Sequence, residues 1–184
     1  MAMENELNLD ESIRKLILKI PDFPRAGINF TDITPVLEQD PVAFRAVIDH
    51  MCGPHRAEPP EVIVCIDAMG FIFGAPVAYH LGSRIVMARR AGKLPRPTSQ
   101  ITYDMGYDRN REMHIHTGAI AQGSRVLVVD DVLAVGGTIL AAVDLVEQAA
   151  GKVVGVSVAF ELERFKARDR IEQRGIPFHA AVRL

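Results

Sequence analysis

The chain is poor in cysteine, in net charge and in long apolar runs, and each shortage narrows what it does. Cys52 and Cys65 are its only two cysteines. That is too few for a disulfide framework, and Cys65 lies in an apolar stretch where it reads as a small buried hydrophobe. A formal net charge of −2 gives no reason to expect nucleic acid or an anionic membrane surface as a partner. No apolar run approaches the ~20 residues that span a bilayer, and the acidic N-terminus is no signal peptide. The cytoplasm is therefore the expected compartment. Three familiar signatures of α/β enzymes are also missing: the Gly-x-Gly-x-x-Gly dinucleotide fingerprint, the Walker A loop and the Gly-x-Ser-x-Gly elbow. There is no internal repeat and no low-complexity segment.

What is present fits one domain over residues 1–184, with 48% hydrophobic and 24% charged residues and ample length for a core. Leu7–Ile20 carries apolar residues at helical spacing, and Pro21 stops it. Pro21–Pro35 holds three prolines and a glycine and predicts no regular element. It is either a functional lid or a loop pinned to the core by Phe23 and Phe30. Asp40-Pro41 predicts an N-cap with proline at the first helical position. Val62–Ile66 reads as a buried strand, followed by Asp67-Ala-Met-Gly-Phe71, a helix over Ile72–Leu81 and a strand over Arg84–Ala88. Strand, helix, strand with short links predicts right-handed parallel crossovers, so the fold class is α/β with a central, mainly parallel sheet flanked by helices. Arg89, Arg90 and Lys93 form a basic cluster after the third element. Leu94–Arg111 has no period and is a candidate flexible lid loop. In the strand Glu112–His116, His114 and His116 share a face. A metal pair lacks a third ligand at suitable spacing, which leaves exposed strand histidines as the favoured reading. Val153–Phe160 predicts a strand, Arg164–Arg174 a polar helix and Pro177–Val182 an edge strand.

The most informative stretch is Arg125–Leu140. Val126–Val129 reads as a strand buried on both faces, and Asp130 and Asp131 stand where it should end. Gly136, Gly137 and Thr138 follow, with a helical pattern from Ile139. Gly-Gly-Thr alone fits an ordinary strand-to-helix turn equally well. An acid pair directly after a buried strand turns the reading towards a phosphorylated sugar. Glycines let backbone N–H groups approach a phosphate, a helix N-terminus adds partial positive charge, and the Thr138 hydroxyl donates. The acids then accept hydrogen bonds from ribose hydroxyls or face a metal bound with the substrate. Both acid-bearing turns fall at carboxyl ends of strands, where ligands bind in such sheets.

Val128–Thr138 resembles the signature of the type I phosphoribosyltransferases, which bind phosphoribosyl pyrophosphate (PRPP). The likeness extends over nearly the whole chain and is closest to the adenine-specific members. Pro21–Pro35 resembles their base-covering hood, Asp67–Gly74 their pyrophosphate loop, and Arg89 with Gly92-Lys93-Leu94-Pro95 the basic segment leading into their lid over 94–111. The resemblance implies transfer of a 5-phosphoribosyl group from PRPP to a purine base, adenine first, in purine salvage. It also implies release of pyrophosphate, Mg as the metal, held mainly through PRPP, and a homodimer. It places Asp130 and Asp131 on the ribose and Ala134, Val135, Gly136, Gly137 and Thr138 around the 5-phosphate. Met69, Gly70, Arg89 and Lys93 face pyrophosphate, Ile28, Asn29 and Phe30 line the base, and Tyr107 belongs to the lid.

Four positions depart from the family pattern. Met69 stands where arginine is usual and Val135 where threonine is usual. Gly106-Tyr107-Asp108 replaces Glu-Tyr-Gly, so the catalytic acid is unassigned, with Asp104 and Asp108 as candidates. Asn29 occupies a normally apolar hood position. These departures leave two further readings: a PRPP- or nucleotide-binding sensor with weakened catalysis, and a transferase with a different acceptor base.

Overall fold

The computed structural model describes residues 11–105 and 108–184. Its contacts divide the chain into two units, residues 1–49 and 50–184.

In the first unit the chain is helical over 11–16 (α1), and the helix expected to reach Ile20 ends earlier. Leu18–Ile20 is instead a strand, β1, paired antiparallel with β2, Phe30–Asp32. Over so few residues helical and strand periods look alike, and the presence of a partner strand decides. The segment Pro21–Pro35 is thus more regular than its prolines predict. It contains β2 and opens helix α2, Thr34–Gln39, whose first turn takes Pro35. Asp22 Oδ1 accepts the Gly27 amide at 2.7 Å and closes the bend between the strands. Helix α3, Pro41–Cys52, begins as expected. Asp40 Oδ1 caps it by accepting the amides of Val42 at 2.9 Å and Ala43 at 3.0 Å.

The second unit is built on a seven-stranded sheet. Its strands are β3 (Val62–Ile66), β4 (Arg84–Arg90), β5 (Thr98–Met105), β6 (Asp108–His116), β7 (Arg125–Leu133), β8 (Lys152–Glu161) and β9 (Phe178–Arg183), in the order β5-β6-β4-β3-β7-β8-β9. The five strands from β4 to β9 are parallel, and the β5–β6 hairpin is antiparallel. Fully buried β3 lies at the centre with β4 on one side and β7 on the other. Helix α4, Gly70–Leu81, follows β3, and helix α5, Gly137–Gln148, follows β7. Val64, Ile66, Ala88, Val128 and Val158 pack with Ile139, Ala142 and Leu145 of α5 into the main core. The alternate residues turn to the other face, where Gly74 of α4 rests on Cys65. A Cβ on Gly74 would fall 2.2 Å from the Cys65 sulfur, so only glycine seats the helix there.

Three further expectations are corrected. The aperiodic segment 94–111 forms most of the β5–β6 hairpin. Its Ile101 and Tyr103 pack on the core and alternate with polar Gln100, Thr102 and Asp104, a strand period too short to stand out between Pro97 and Gly106. The polar helix expected over Arg164–Arg174 is a short 3-10 turn, Glu163–Phe165, then α6, Ala167–Glu172. The two are separated at Lys166, whose φ is 51°. Strand β7 runs four residues past Val129, so both aspartates lie within it rather than after it.

Candidate active site

The site begins where two neighbouring strands stop sharing hydrogen bonds. Strand β7 pairs with β3 only as far as Cys65 opposite Val129. On its other side it stays paired with β8 through Leu133 opposite Glu161. Asp130 and Asp131 therefore sit on a strand held from one side and open on the other. Crossovers leave β3 and β7 in opposite directions, the arrangement that opens a crevice at the carboxyl ends of an α/β sheet.

The turn after β3 fills part of that opening. A Cβ on Gly70 would lie 3.0 Å from the Val129 carbonyl oxygen and 3.0 Å from Asp130 Oδ1. The start of α4 thus abuts the acid pair, 60 residues on in sequence. The peptide bond between Asp67 and Ala68 is cis. The Arg89 guanidinium is engaged inside this loop. Its Nε donates to Asp67 Oδ2 at 3.1 Å, Nη1 donates to the Lys93 carbonyl at 3.2 Å, and it lies 5.7 Å from the centre of the Phe71 ring. Arg89 therefore ties Asp67 to the Lys93 turn across the ends of β3 and β4.

Asp130 is buried and Asp131 half-buried. The Asp131 amide donates to Asp130 Oδ1 at 3.0 Å. Among the described residues neither carboxylate meets a basic side chain. Burial, and then the neighbouring Asp131 charge, hold the Asp130 carboxyl well above its ordinary range. Burial also raises Asp131. An unpaired acid pair of this kind has a strong electrostatic incentive to receive donors or a cation. Burial and the Asp130 charge push the nearby Cys65 thiol up to about 12, so it is no nucleophile at neutral pH.

Beyond β7 the chain bends through Ala134–Gly136 into α5. Gly136 has φ 81° and serves as N-cap without any side-chain cap, and the first turn of the helix holds no acid. The leading amides of α5 are consequently left for an outside acceptor, with the positive end of the helix dipole behind them. The bend is not plugged by its own side chains. Val135 is 40% exposed and Thr138 half-exposed. Acid pair and open helix N-terminus together can grip the hydroxyls and the phosphate of one sugar phosphate.

Elsewhere the predicted residues fare unevenly. His114 is buried rather than exposed. Its Nδ1 lies 2.9 Å from Thr98 Oγ1 and its Nε2 3.3 Å from Glu112 Oε2. The described residues contain no group of three or more ligands fit for a metal. Asp104 Oδ1 accepts the Asn110 amide at 2.9 Å and closes the hairpin. Gly106, Tyr107 and the side chain of Asp108 fall outside the described residues. In the first unit Ile28 is half-buried, whereas Asn29 and Phe30 are exposed. Phe23 and Phe30 stack edge-on at 5.1 Å with 51% and 41% exposure, so they pack on each other and do not pin the loop to a core. Sequence reasoning missed Arg170, whose Nη1 donates to the Val135 carbonyl at 2.9 Å. Nothing local in a polar, arginine-rich segment distinguishes it.

Comparison with known proteins agrees with this geometry. Residues 37–178 match the phosphoribosyl transferase domain family. Adenine phosphoribosyltransferase of Thermobifida fusca is 45% identical over 159 residues, covering 86% of this chain and 89% of that protein. The crystal structure of the Rhodothermus marinus enzyme of the same name superposes with a TM-score of 0.89 at 38% identity, covering 97% of this chain and 99% of that one. The Giardia lamblia enzyme complexed with 9-deazaadenine gives 0.90 at 35% identity, covering 95% and 97%. On sequence and on fold alike, the chain belongs to the phosphoribosyltransferase family, among its adenine phosphoribosyltransferases.

Proposed function

We propose that this phosphoribosyltransferase moves the 5-phosphoribosyl group of PRPP onto adenine in purine salvage. The bond from the anomeric carbon to pyrophosphate breaks, a bond to a ring nitrogen of the base forms, and that nitrogen gives up its proton. One observation carries the assignment of roles: an unpaired acid pair, one carboxylate buried and the other half-buried, stands beside an uncapped helix N-terminus across an open glycine bend. Asp130 and Asp131 take the ribose hydroxyls. Backbone N–H groups of Ala134–Gly137, with the Thr138 hydroxyl, take the 5-phosphate. The Met69-Gly70 backbone, Arg89 and Lys93 face the pyrophosphate, and Arg89 reaches it from its anchor on Asp67. Ile28, Asn29 and Phe30 line the base. The 9-deazaadenine bound by the Giardia relative supports adenine as acceptor.

A carboxylate pair without a cationic partner among the described residues suits a hard divalent ion, here one held mainly by the oxygens of PRPP. Asp130 and Asp131 are the groups that would meet Mg. Bound with PRPP, such an ion would supply positive charge to the departing pyrophosphate.

A second copy of the chain belongs to the same proposal. Register places Met87 beside Cys65 and Ile85 beside Ile63, on the sheet face that carries α4. Ile85 and Met87 are 48% and 42% exposed, and Ile72 and Tyr79 of α4 are 43% and 84% exposed. An apolar patch of this kind next to Arg89 supports a homodimer. Neither Cys52 nor Cys65 is joined in a disulfide, in keeping with a reducing cytoplasm. Among the described residues no helix is long and apolar enough to cross a membrane. Incubation with PRPP, Mg and a purine panel is expected to yield AMP and pyrophosphate from adenine, and no nucleotide from any base would overturn the reading.

A further inference from the structure

Arg168, Arg170 and Arg174 lie on and just after α6, behind the phosphate bend, and two of them are already committed. Arg168 donates through Nε to buried Glu161 at 3.0 Å, pairs with Glu172, and lies over the Phe178 ring at 4.5 Å. Arg174 pairs with Asp144 and Glu147 of α5. Arg170 differs. It is exposed, forms no ion pair among the described residues, and spends one donor on the Val135 carbonyl at 2.9 Å. The first residue of its helix also presses on the bend, since a Cβ on Gly136 would sit 3.2 Å from Ala167 Cβ. Helix α6 therefore meets the bend twice, through Ala167 on the glycine and through Arg170 on the carbonyl before it.

We propose that Arg170 is a positioning residue for the phosphate cradle, an inference that rests on the phosphoribosyl-transfer reading. A carbonyl oxygen within an anion-binding bend repels phosphate unless it is turned aside and capped. Arg170 holds the Val135 carbonyl away from the anion, which leaves the amides of Gly136 and Gly137 facing it. Its uncompensated positive charge adds to the field of the α5 N-terminus. This matters the more because residue 135 is valine and brings no hydroxyl of its own to the phosphate.

The test compares Arg170→Ala, Arg170→Gln and Arg170→Lys with the wild-type enzyme. The readouts are KM for PRPP, KM for adenine, kcat, and the calorimetric Kd of ribose 5-phosphate. Arg170→Ala is expected to raise KM for PRPP and Kd for ribose 5-phosphate roughly 10- to 100-fold, with kcat and KM for adenine largely kept. Lysine restores part of the loss through charge, and glutamine part through its donor. Arg174→Ala, which removes the ion pairs to Asp144 and Glu147 of α5, is expected to lower Tm without changing either constant. If Arg170→Ala binds ribose 5-phosphate like an active wild type, the inference about Arg170 falls alone. If the wild type neither turns over nor binds ribose 5-phosphate, the parent reading falls with it. Should Arg170→Ala fail to fold, the glutamine and lysine variants decide by the same constants.

Discussion

Gly70 and Asp130 stand so close that a Cβ on the glycine would lie 3.0 Å from the aspartate Oδ1. This contact locks the turn after β3 to the acids of β7. Gly70→Ala should therefore push the two apart. The expected cost is about 1–3 kcal/mol of stability, with kcat/KM down roughly 10- to 100-fold because the pyrophosphate loop is displaced from the ribose site. Thermal melts and steady-state kinetics on one preparation check both numbers.

Asp130 offers a prediction with a definite sign. Its folded carboxyl is held above the ordinary range by burial and by Asp131. Between the ordinary and the raised value the folded protein binds more protons than the unfolded chain, so substrate-free stability falls as pH rises through that window. Asp130→Asn removes the charge that is costly to bury. It should raise Tm, and the gain should be larger at pH 8 than at pH 5. The same variant should lose activity by on the order of 10- to 100-fold, the worth of a hydrogen bond to a charged group. A Tm gain independent of pH would contradict the account.

The seat of α4 on β3 can be probed by a double-mutant cycle. Gly74→Ala drives a methyl group into the Cys65 sulfur, at 2.2 Å before any relaxation, and should destabilise strongly. Cys65→Ala alone should cost a modest amount, since it removes one buried sulfur. Together the two should be better tolerated than their sum, with a coupling of about 0.5–3 kcal/mol. Additive behaviour would mean that the helix relaxes away from the strand.

The apolar patch of Ile72, Tyr79, Ile85 and Met87 makes an association-state prediction. Sedimentation should show the wild type as a dimer at micromolar concentration. Met87→Glu should shift it to monomer, because a charge buried in an apolar interface is left unpaired. A wild type that sediments as a monomer throughout would remove the homodimer from the proposal.

How much of this could be read directly from the residues follows a physical pattern. The buried runs Val62–Ile66 and Val126–Val129 were legible because strands covered on both faces are continuously apolar. Asp40 was legible as a cap because capping is a local hydrogen bond. The β5–β6 hairpin was not, since its alternation of Ile101 and Tyr103 with polar neighbours covers only a few residues between Pro97 and Gly106. Leu18–Ile20 read as helix because three residues carry no period, and only a strand brought back by the bend at Asp22 makes them extended. His114 read as solvent-facing because Thr98, which meets its Nδ1, becomes a neighbour only through the pairing of β5 with β6.

The candidate site divides the same way. Sequence alone determined that a glycine bend follows an acid pair next to a buried apolar run, and that this bend opens a helix, because each of those features is written in adjacent residues; that both acids lie inside the strand was decided by its pairing with β8. Only the tertiary structure decided that Gly70 would lie against Asp130, that Arg89 would spend its guanidinium on Asp67, and that Arg170 would cap Val135. Those contacts join residues 22 to 60 positions apart. They depend on which strands lie side by side and where their shared ladder stops, and that is settled by packing the whole sheet rather than by any single stretch of chain.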